Sequence, residues 1–174
     1  MSVGVTMDAA TILRGDPRRQ RRERRVRGVF LAAALVALAG CGGDAAPGYA
    51  SKADRFRVQF AGEPKVSERT VGGRRSVVHA VESVDGVCSV AVTDLPLKGG
   101  GQPELVPKLL ASARDDMVRG AGGRLTEDEG TTLAGKYPGR RFRAAVADPR
   151  PGALDARIYL VGPKLYQVMA MGTE

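Results

Sequence analysis

The chain has little of what metal-dependent and nucleophilic active sites are built from. Its 174 residues include one histidine and two cysteines, with no tryptophan and no asparagine. A zinc site takes convergent ligands from cysteine, histidine and carboxylates, and neither His79 nor Cys88 has a second ligand at a useful spacing. We therefore predict no metal and no cofactor, and we interpret His79 as a strand residue with an ordinary hydrogen bond. The absence of asparagine excludes N-linked glycosylation.

The segment nearest to a nucleotide-binding motif lacks the residue that this chemistry needs most. Gly130–Tyr137 reads G-T-T-L-A-G-K-Y, one residue away from the phosphate-binding loop. The eighth position must supply a short hydroxyl side chain to Mg²⁺, and Tyr137 does not. Pro138 and Gly139 then interrupt the helix whose N-terminus would hold the phosphates. We therefore predict that the protein binds no nucleotide.

Hydrolytic and acid–base chemistry also has few candidates. His79 would have to be the base of any Ser-His-Asp triad, and the chain has no nucleophile elbow G-x-S-x-G. Carboxylates are adjacent at Asp115-Asp116, where helical side chains diverge by about 100°, and in Glu127-Asp128-Glu129, which has the pattern of a solvated turn. We predict surface charges at both places. The serines that could accompany His79 are Ser76, Ser83 and Ser89.

Most of the positive charge lies near the amino terminus. The formal net charge is +8, and eight arginines against three acidic residues give residues 1–40 a net charge of +5. The arginine run Arg14–Arg27 precedes Val29–Gly40, a segment of twelve residues without a charge. A membrane-spanning helix needs roughly 20 apolar residues, so this segment fits the apolar core of an export signal better. The basic flank is expected to stay in the cytoplasm.

The residues after the apolar run resemble the lipobox of bacterial lipoproteins. Small residues stand before a cysteine in Leu38-Ala39-Gly40-Cys41, and the Cys41 thiol would form a thioether with diacylglycerol. We predict a signal peptide over 1–40, recognised by the signal peptidase at Leu38, Ala39 and Gly40. A flexible linker over 41–54 and one globular domain over 55–174 would follow. An ordinary signal peptide or an anchor helix with an incidental cysteine is the alternative.

Lipidation of Cys41 would hold the domain on the extracytoplasmic side of an envelope membrane. Its partners would then be the membrane, through the N-terminal lipid, and an envelope protein. Nucleic acid is not expected, because only +3 of the net charge remains after residue 40 and the domain is exported. Cys88 has no disulfide partner once Cys41 is acylated, so we interpret it as a small buried side chain of a strand.

Apolar residues alternate with polar ones in most of the remaining chain, which predicts half-buried strands. Turns are predicted at Gly72-Gly73, Asp85-Gly86, Ala134–Gly139 and Gly162–Lys164, because glycine and proline concentrate there. The predicted strands are Arg55–Phe60, Lys65–Val71, Arg75–Ser83, a strand through Cys88 that ends at Asp94, Arg124–Leu133 (weakly patterned), Arg140–Ala147, Asp155–Val161 and Leu165–Met171.

One helix is predicted over Pro103–Arg119, where apolar residues recur at helical spacing and Gly120 follows as a terminator. Pro107 in a helix interior would cost about 3 kcal/mol, so the regular helix is expected to begin near Val106. Strands joined by short turns on both sides of one helix predict an α+β domain. In it, an antiparallel sheet packs against one long amphipathic helix.

Four segments carry a family resemblance: Phe56-x-Val58-x-Phe60, Thr93-Asp94-Leu95-Pro96, Arg157–Gly162 and Leu165-Tyr166-Gln167-Val168. Over roughly residues 54–172, they resemble small bacterial lipoproteins of unknown function whose fold is similar to the PsbP/DcrB-like α/β sandwich. The resemblance implies a binding, assembly or accessory protein without a shared active site. Relatives usually add a final helix after the last strand. Its absence here would mean either an uncovered part of the sheet or a truncated gene product.

One arginine-rich segment of the domain could orient it against an anionic leaflet. Near such a leaflet each cation contributes about 1 kcal/mol. Solvated strand ends are the alternative interpretation. The arginines of this predicted membrane-facing patch are Arg140, Arg141 and Arg143, joined by Arg74 and Arg75.

Two functions follow from the sequence. The first is a non-catalytic binding or accessory lipoprotein that holds a partner with its sheet face or its carboxyl-terminal edge. The second is an envelope enzyme with an unrecognised carboxylate-based active site. An exposed apolar patch beside the last strand would favour the first function, and a cleft lined by converging ionisable residues would favour the second.

Overall fold

The structure, a computed structural model of the whole chain, describes residues 5–7, 48–97, 103–147 and 151–173. The predicted lipobox Leu38–Cys41 lies outside these residues, as does most of the predicted signal peptide. No helix among the described residues combines the length and the apolar composition that a membrane span requires.

Antiparallel strands make up most of the domain, as predicted. A small sheet has the order β1-β3-β2, with β1 parallel and β2 antiparallel to β3. A seven-stranded sheet has the order β4-β5-β6-β10-β9-β8-β7, and each neighbouring pair is antiparallel. The strands are β1 Val5–Met7, β2 Tyr49–Ser51, β3 Phe56–Val58, β4 Lys65–Val71, β5 Arg74–Ser83, β6 Gly86–Asp94, β7 Gly123–Leu133, β8 Tyr137–Val146, β9 Gly152–Val161 and β10 Lys164–Gly172.

The helix α1 spans Val106–Gly120 and follows a 3₁₀ turn over Pro103–Leu105. Its start at Val106 confirms the position predicted from Pro107, which stands in the first turn, where its missing N–H costs nothing. The residue in the left-handed conformation after the helix is Gly122, at φ 62°, rather than the predicted terminator Gly120. The fifteen residues of α1 do not confirm the long helix that the sequence predicted, and α1 packs mainly on β7, β8 and β9.

Each face of the large sheet has its own hydrophobic core. On one face, here called the helix face, α1 packs through Leu110 and Ala113 on residues such as Phe142 and Ile158. On the opposite face, the amino-terminal segment 48–60 packs through Phe56, Val58 and Phe60 on Val90, Tyr166 and Val168. Because strand side chains alternate between the two faces, β10 contributes to both cores.

The β7–β8 hairpin corrects two expectations. Glu127-Asp128-Glu129 lies within β7 rather than in a turn, because Glu127 and Glu129 lie opposite Arg143 and Arg141 of β8. Residues 137–139, predicted to belong to a turn, begin β8. Pro138 is tolerated there because β8 pairs with β9 only from Gly139 onward, so the missing N–H breaks no ladder on that side.

The folded part of the chain begins before Arg55. Tyr49–Ser51, placed in the linker by the sequence analysis, forms β2 and pairs with β3. Ser51 and Asp54 are buried. The segment that could act as a free linker after Cys41 is therefore shorter than residues 41–54.

Candidate functional site: a groove beside the helix

An open groove of about 690 Å³ lies on the helix face between α1 and the strands that α1 leaves uncovered. The helix contacts β7, β8 and β9, whereas the groove is lined by residues of β4, β5, β6 and β10 and by one side of α1. Its volume is in the range of small-molecule binding sites, roughly 300–1,000 Å³.

The apolar part of the groove follows from two sequence periodicities. Residues two apart on a strand share a face, so Leu165, Met169 and Met171 of β10 all point into the groove. Residues four apart on a helix share a side, and Leu109, Ala113, Met117 and Ala121 form the opposite wall. This wall and floor place an apolar surface beside the last strand.

The polar residues in the floor include one hydrogen-bonded pair, Thr93 and Ser76, and the partly exposed Gln167. Thr93 Oγ1 donates a hydrogen bond of 3.0 Å to Ser76 Oγ, and both residues are buried. Gln167 also lines the groove, and its amide has no hydrogen bond to any residue that the structure describes. Gln167 is therefore available to a ligand.

Three ionisable residues line the groove, and two of them are arginines. Arg69 of β4 and Arg74 of β5 are exposed, and neither forms an ion pair within the described ranges. The one carboxylate is Asp116, which lies 3.2 Å from Arg119 on the same helix. The groove therefore lacks the paired carboxylates that acid–base catalysis uses, and its unpaired charge is positive.

His79 belongs to a separate buried network on the opposite face of the sheet. Its Nε2 lies 3.0 Å from Asp54 Oδ2, so in the neutral ring Nε2 donates to the carboxylate and Nδ1 accepts from the Tyr49 hydroxyl, also at 3.0 Å. Ser51 Oγ donates to the same carboxylate oxygen, and Tyr166 donates to the Asp54 carbonyl. The sequence predicted an ordinary hydrogen bond for His79, which is confirmed, but missed Tyr49 and Asp54 as its partners.

Tyr49, His79 and Asp54 are hydrogen-bonded in the order of an acid–base relay, but a substrate could not reach them because His79 and Asp54 are buried. His79 and Asp54 are 2% and 5% exposed. None of the candidate serines bonds the ring: Ser76 and Ser89 lie on the other face of the sheet, opposite Thr93 and Ala80 in register, and Ser83 Oγ donates to the Gly86 carbonyl. The network therefore fixes the amino-terminal segment on the sheet, and burial raises the pKa of Tyr49.

The arginines of the predicted membrane-facing patch do not lie on one surface. Arg140 shares the helix face with Phe142 and bonds Asp128, whereas Arg141 and Arg143 point to the opposite face. There, Arg141 contacts Glu129 at 3.5 Å and Arg143 contacts Asp155 at 3.6 Å. Arg74 and Arg75 lie on β5, four strands or roughly 19 Å from β8.

The remaining sequence candidates lie apart from the groove. Cys88 is a free thiol packed against the core of the amino-terminal segment, and burial raises its pKa. Gly130–Tyr137 forms the end of β7, a tight turn and the start of β8, so no helix follows the phosphate-loop-like residues. Within the described residues, no group of three or more histidine, cysteine or acidic side chains could hold a metal ion.

The fold and the groove define a small α+β domain with an open, mostly apolar groove on one face of its sheet. The chain matches no protein-family model, no curated protein and no solved structure.

Proposed function

We propose that this protein is an envelope lipoprotein, anchored through Cys41 on the extracytoplasmic side, whose domain binds a ligand or partner in the groove beside α1. The observation that carries the proposal is the position of that groove. Its floor includes Met169 and Met171 of the last strand, which are partly exposed beside the buried Leu165, and an apolar surface beside the last strand favours a binding domain over an enzyme.

The alternative, a carboxylate-based enzyme, is less well supported. A general acid and a general base need two titratable groups whose environments separate their pKa values. The groove offers Asp116 alone, and the buried Asp54–His79 pair is out of reach of a substrate. We therefore retain the non-catalytic role.

We also propose that the domain is PsbP/DcrB-like. An antiparallel sheet with α1 packed on part of one face supports this proposal.

The tether would keep the groove near the membrane. Residues 42–48 separate Cys41 from Tyr49, and an extended chain spans at most about 3.5 Å per residue, or roughly 25 Å in total. Processing at Cys41 would also remove β1, which pairs with β3 in the full chain. The buried contacts of Tyr49 and Phe56 on the sheet would remain.

Site-specific photocrosslinking in cells tests the proposal. A photoreactive amino acid at Ser112, an exposed residue of the groove wall, is expected to form an adduct in the membrane fraction. The matched control is Asp115, which is also exposed on α1 but does not line the groove. Equal adducts at the two positions, or none at either, would contradict a groove-binding function.

A further inference from the structure

We infer that the groove binds a single-chain amphiphile with an anionic headgroup. Its head would lie at Arg69 and Arg74, and its apolar chain would run between β10 and α1. This inference rests on the proposed function and specifies its ligand.

The two arginines are placed side by side by the strand register. Arg69 lies opposite Ser76, and Val71 lies opposite Arg74, so Arg69 and Arg74 are diagonal neighbours on the helix face. Diagonal neighbours on adjacent strands are about 7–8 Å apart, close enough for two long side chains to contact one headgroup. Guanidinium groups bind carboxylate or phosphate oxygens through paired hydrogen bonds.

The adjacent Arg75 differs from these two arginines, for which the described residues supply no ion-pair partner. Arg75 points to the opposite face of β5 and bonds Glu68 through two hydrogen bonds, of 2.8 and 2.9 Å. No such carboxylate lies opposite Arg69 or Arg74 in the register. The helix face therefore keeps two cations for an external anion.

The two unpaired arginines and the methionines lie toward different ends of the groove. A ligand that contacts both would need an anionic head and an apolar chain. Arg69, Ser76, Thr93 and Leu165 form one row across the sheet, because each lies opposite the next in register. Met171 lies six residues further along β10, roughly 20 Å away. The two arginines are thus at one end of the groove and the methionines lie toward the other, with Gln167 in the floor between Leu165 and Met169 and the ion-paired Asp116 on the α1 wall.

The apolar end suits a flexible chain. Met117, Met169 and Met171 all line it, and methionine side chains adapt to ligands of varied shape. Ala113, Gly120 and Ala121 carry little or no side chain on the α1 wall, which leaves room beside the methionines. An amphipathic helix of a partner protein is the alternative occupant, and the experiment below distinguishes it.

The test uses the full-length protein in nanodiscs of neutral lipid, with a long-chain fatty acid that carries a diazirine near the end of its chain. Crosslinks are mapped by mass spectrometry and are expected on Met117, Met169 or Met171. The double variant Arg69→Gln/Arg74→Gln should lower the labelling yield at limiting probe by about tenfold or more, the effect of losing charge-assisted hydrogen bonds. The matched control Arg75→Gln should label like the wild type.

Two further probes distinguish the contribution of the headgroup to binding from that of the apolar chain. The fatty alcohol with the same diazirine chain should label the wild type only as weakly as the acid labels the double variant. Inorganic phosphate should not compete with the acid at equal concentration. Ser112→Trp, which fills the groove from an exposed position of its wall, should abolish labelling while the circular dichroism spectrum stays unchanged.

Several results would overturn the inference. These are equal labelling by acid and alcohol, undiminished labelling of the arginine double variant, competition by phosphate alone, or crosslinks outside the groove. If these results appear while the Ser112 photocrosslinker still captures a protein in cells, the groove binds a partner helix. The inference would then fail, and the proposed function would stand. Absence of both kinds of adduct would reject both.

Discussion

Asp128 is the residue that joins α1 to the outer strands of the sheet. Its carboxylate accepts hydrogen bonds from Arg140 of β8, at 2.9 Å to Nε, and from Arg114 of α1. The three side chains are 16–25% exposed. The hydrogen bond from Arg140 lowers the pKa of Asp128 more than its burial raises it, and Arg114 adds to the lowering. A run that the sequence analysis interpreted as a solvated turn is therefore a structural contact.

We predict that Asp128→Asn destabilises the protein by about 1–3 kcal/mol at neutral pH, the usual contribution of hydrogen bonds between charged groups. Because the folded state lowers the pKa of Asp128, its stabilisation is present above the unfolded-state pKa and is lost as the pH falls through the folded-state pKa. Urea unfolding at a series of pH values should show the difference between variant and wild type shrinking in acid.

Asp155→Asn serves as the control, because folding shifts the pKa of Asp155 in the opposite direction from that of Asp128. Burial raises the pKa of Asp155 despite the nearby Arg143, so its ionised form is disfavoured by folding and its protonation in acid favours the folded state. At neutral pH this variant should lose less stability than Asp128→Asn does. As the pH falls, its free energy of unfolding should decrease relative to that of the wild type, because the wild type gains stability when Asp155 is protonated. The same pH trend in both variants would contradict the assignment for Asp128.

The buried network around His79 leads to a second prediction at the residue scale. Asp54→Ala would leave the His79 Nε2 hydrogen and the Ser51 hydroxyl without their acceptor, and each unsatisfied buried group costs about 1–3 kcal/mol. We expect a loss of about 2–5 kcal/mol in the free energy of unfolding and faster hydrogen exchange in residues 49–58. Lys52→Ala, at an exposed neighbouring position, should change stability by less than about 0.5 kcal/mol. Similar results for the two variants would refute the role of the network.

At the scale of elements, the pairing of β8 with β9 depends on one glycine within β8. A Cβ at Gly139 would lie 2.4 Å from the Ile158 carbonyl oxygen and 2.4 Å from a ring carbon of Tyr159. We predict that Gly139→Ala costs about 1–3 kcal/mol, as overpacking does. Gly130→Ala in the same hairpin meets no atom within 4 Å and should change stability by less than about 0.5 kcal/mol. Thermal unfolding of the two variants measures the contrast, and equal melting temperatures would contradict it.

The spacing of apolar residues predicted most strands and the helix, because each of these elements buries the apolar residues of one face. The alternation in Leu165–Met171 and the helical spacing from Val106 to Met117 both reappear as core contacts. Pro138-Gly139 misled because the pair is typical of turns, and only the pairing of β8 with β9, distant in sequence, shows that a strand begins there. Tyr49 and Asp54 were missed because they pack on residues about 25–30 positions away.

For the molecule as a whole, the groove exists because the seven-stranded sheet is wider than the helix α1 that packs on it. Seven strands about 4.8 Å apart make a sheet roughly 29 Å wide, whereas a helix with its side chains is about 10–12 Å across. Among the described residues, one helix therefore leaves about half of one face uncovered. Which half is open could not be predicted, because strand order is non-local: β10 pairs with β6 and lies mid-sheet, so the last strand reaches the groove.

Lipidation is the prediction on which the whole-molecule proposal depends, and the chain supplies its own control. The two cysteines are Cys41, after the apolar leader, and Cys88, whose thiol is partly buried in the domain. Thioether formation needs a thiol at the signal peptidase site, and two or more acyl chains are needed for stable anchoring. Labelling cells with a fatty-acid analogue should therefore mark the wild type and Cys88→Ala and leave Cys41→Ala unmarked. Label that persists in Cys41→Ala, or a wild type recovered unlabelled and unprocessed, would place the groove in another compartment.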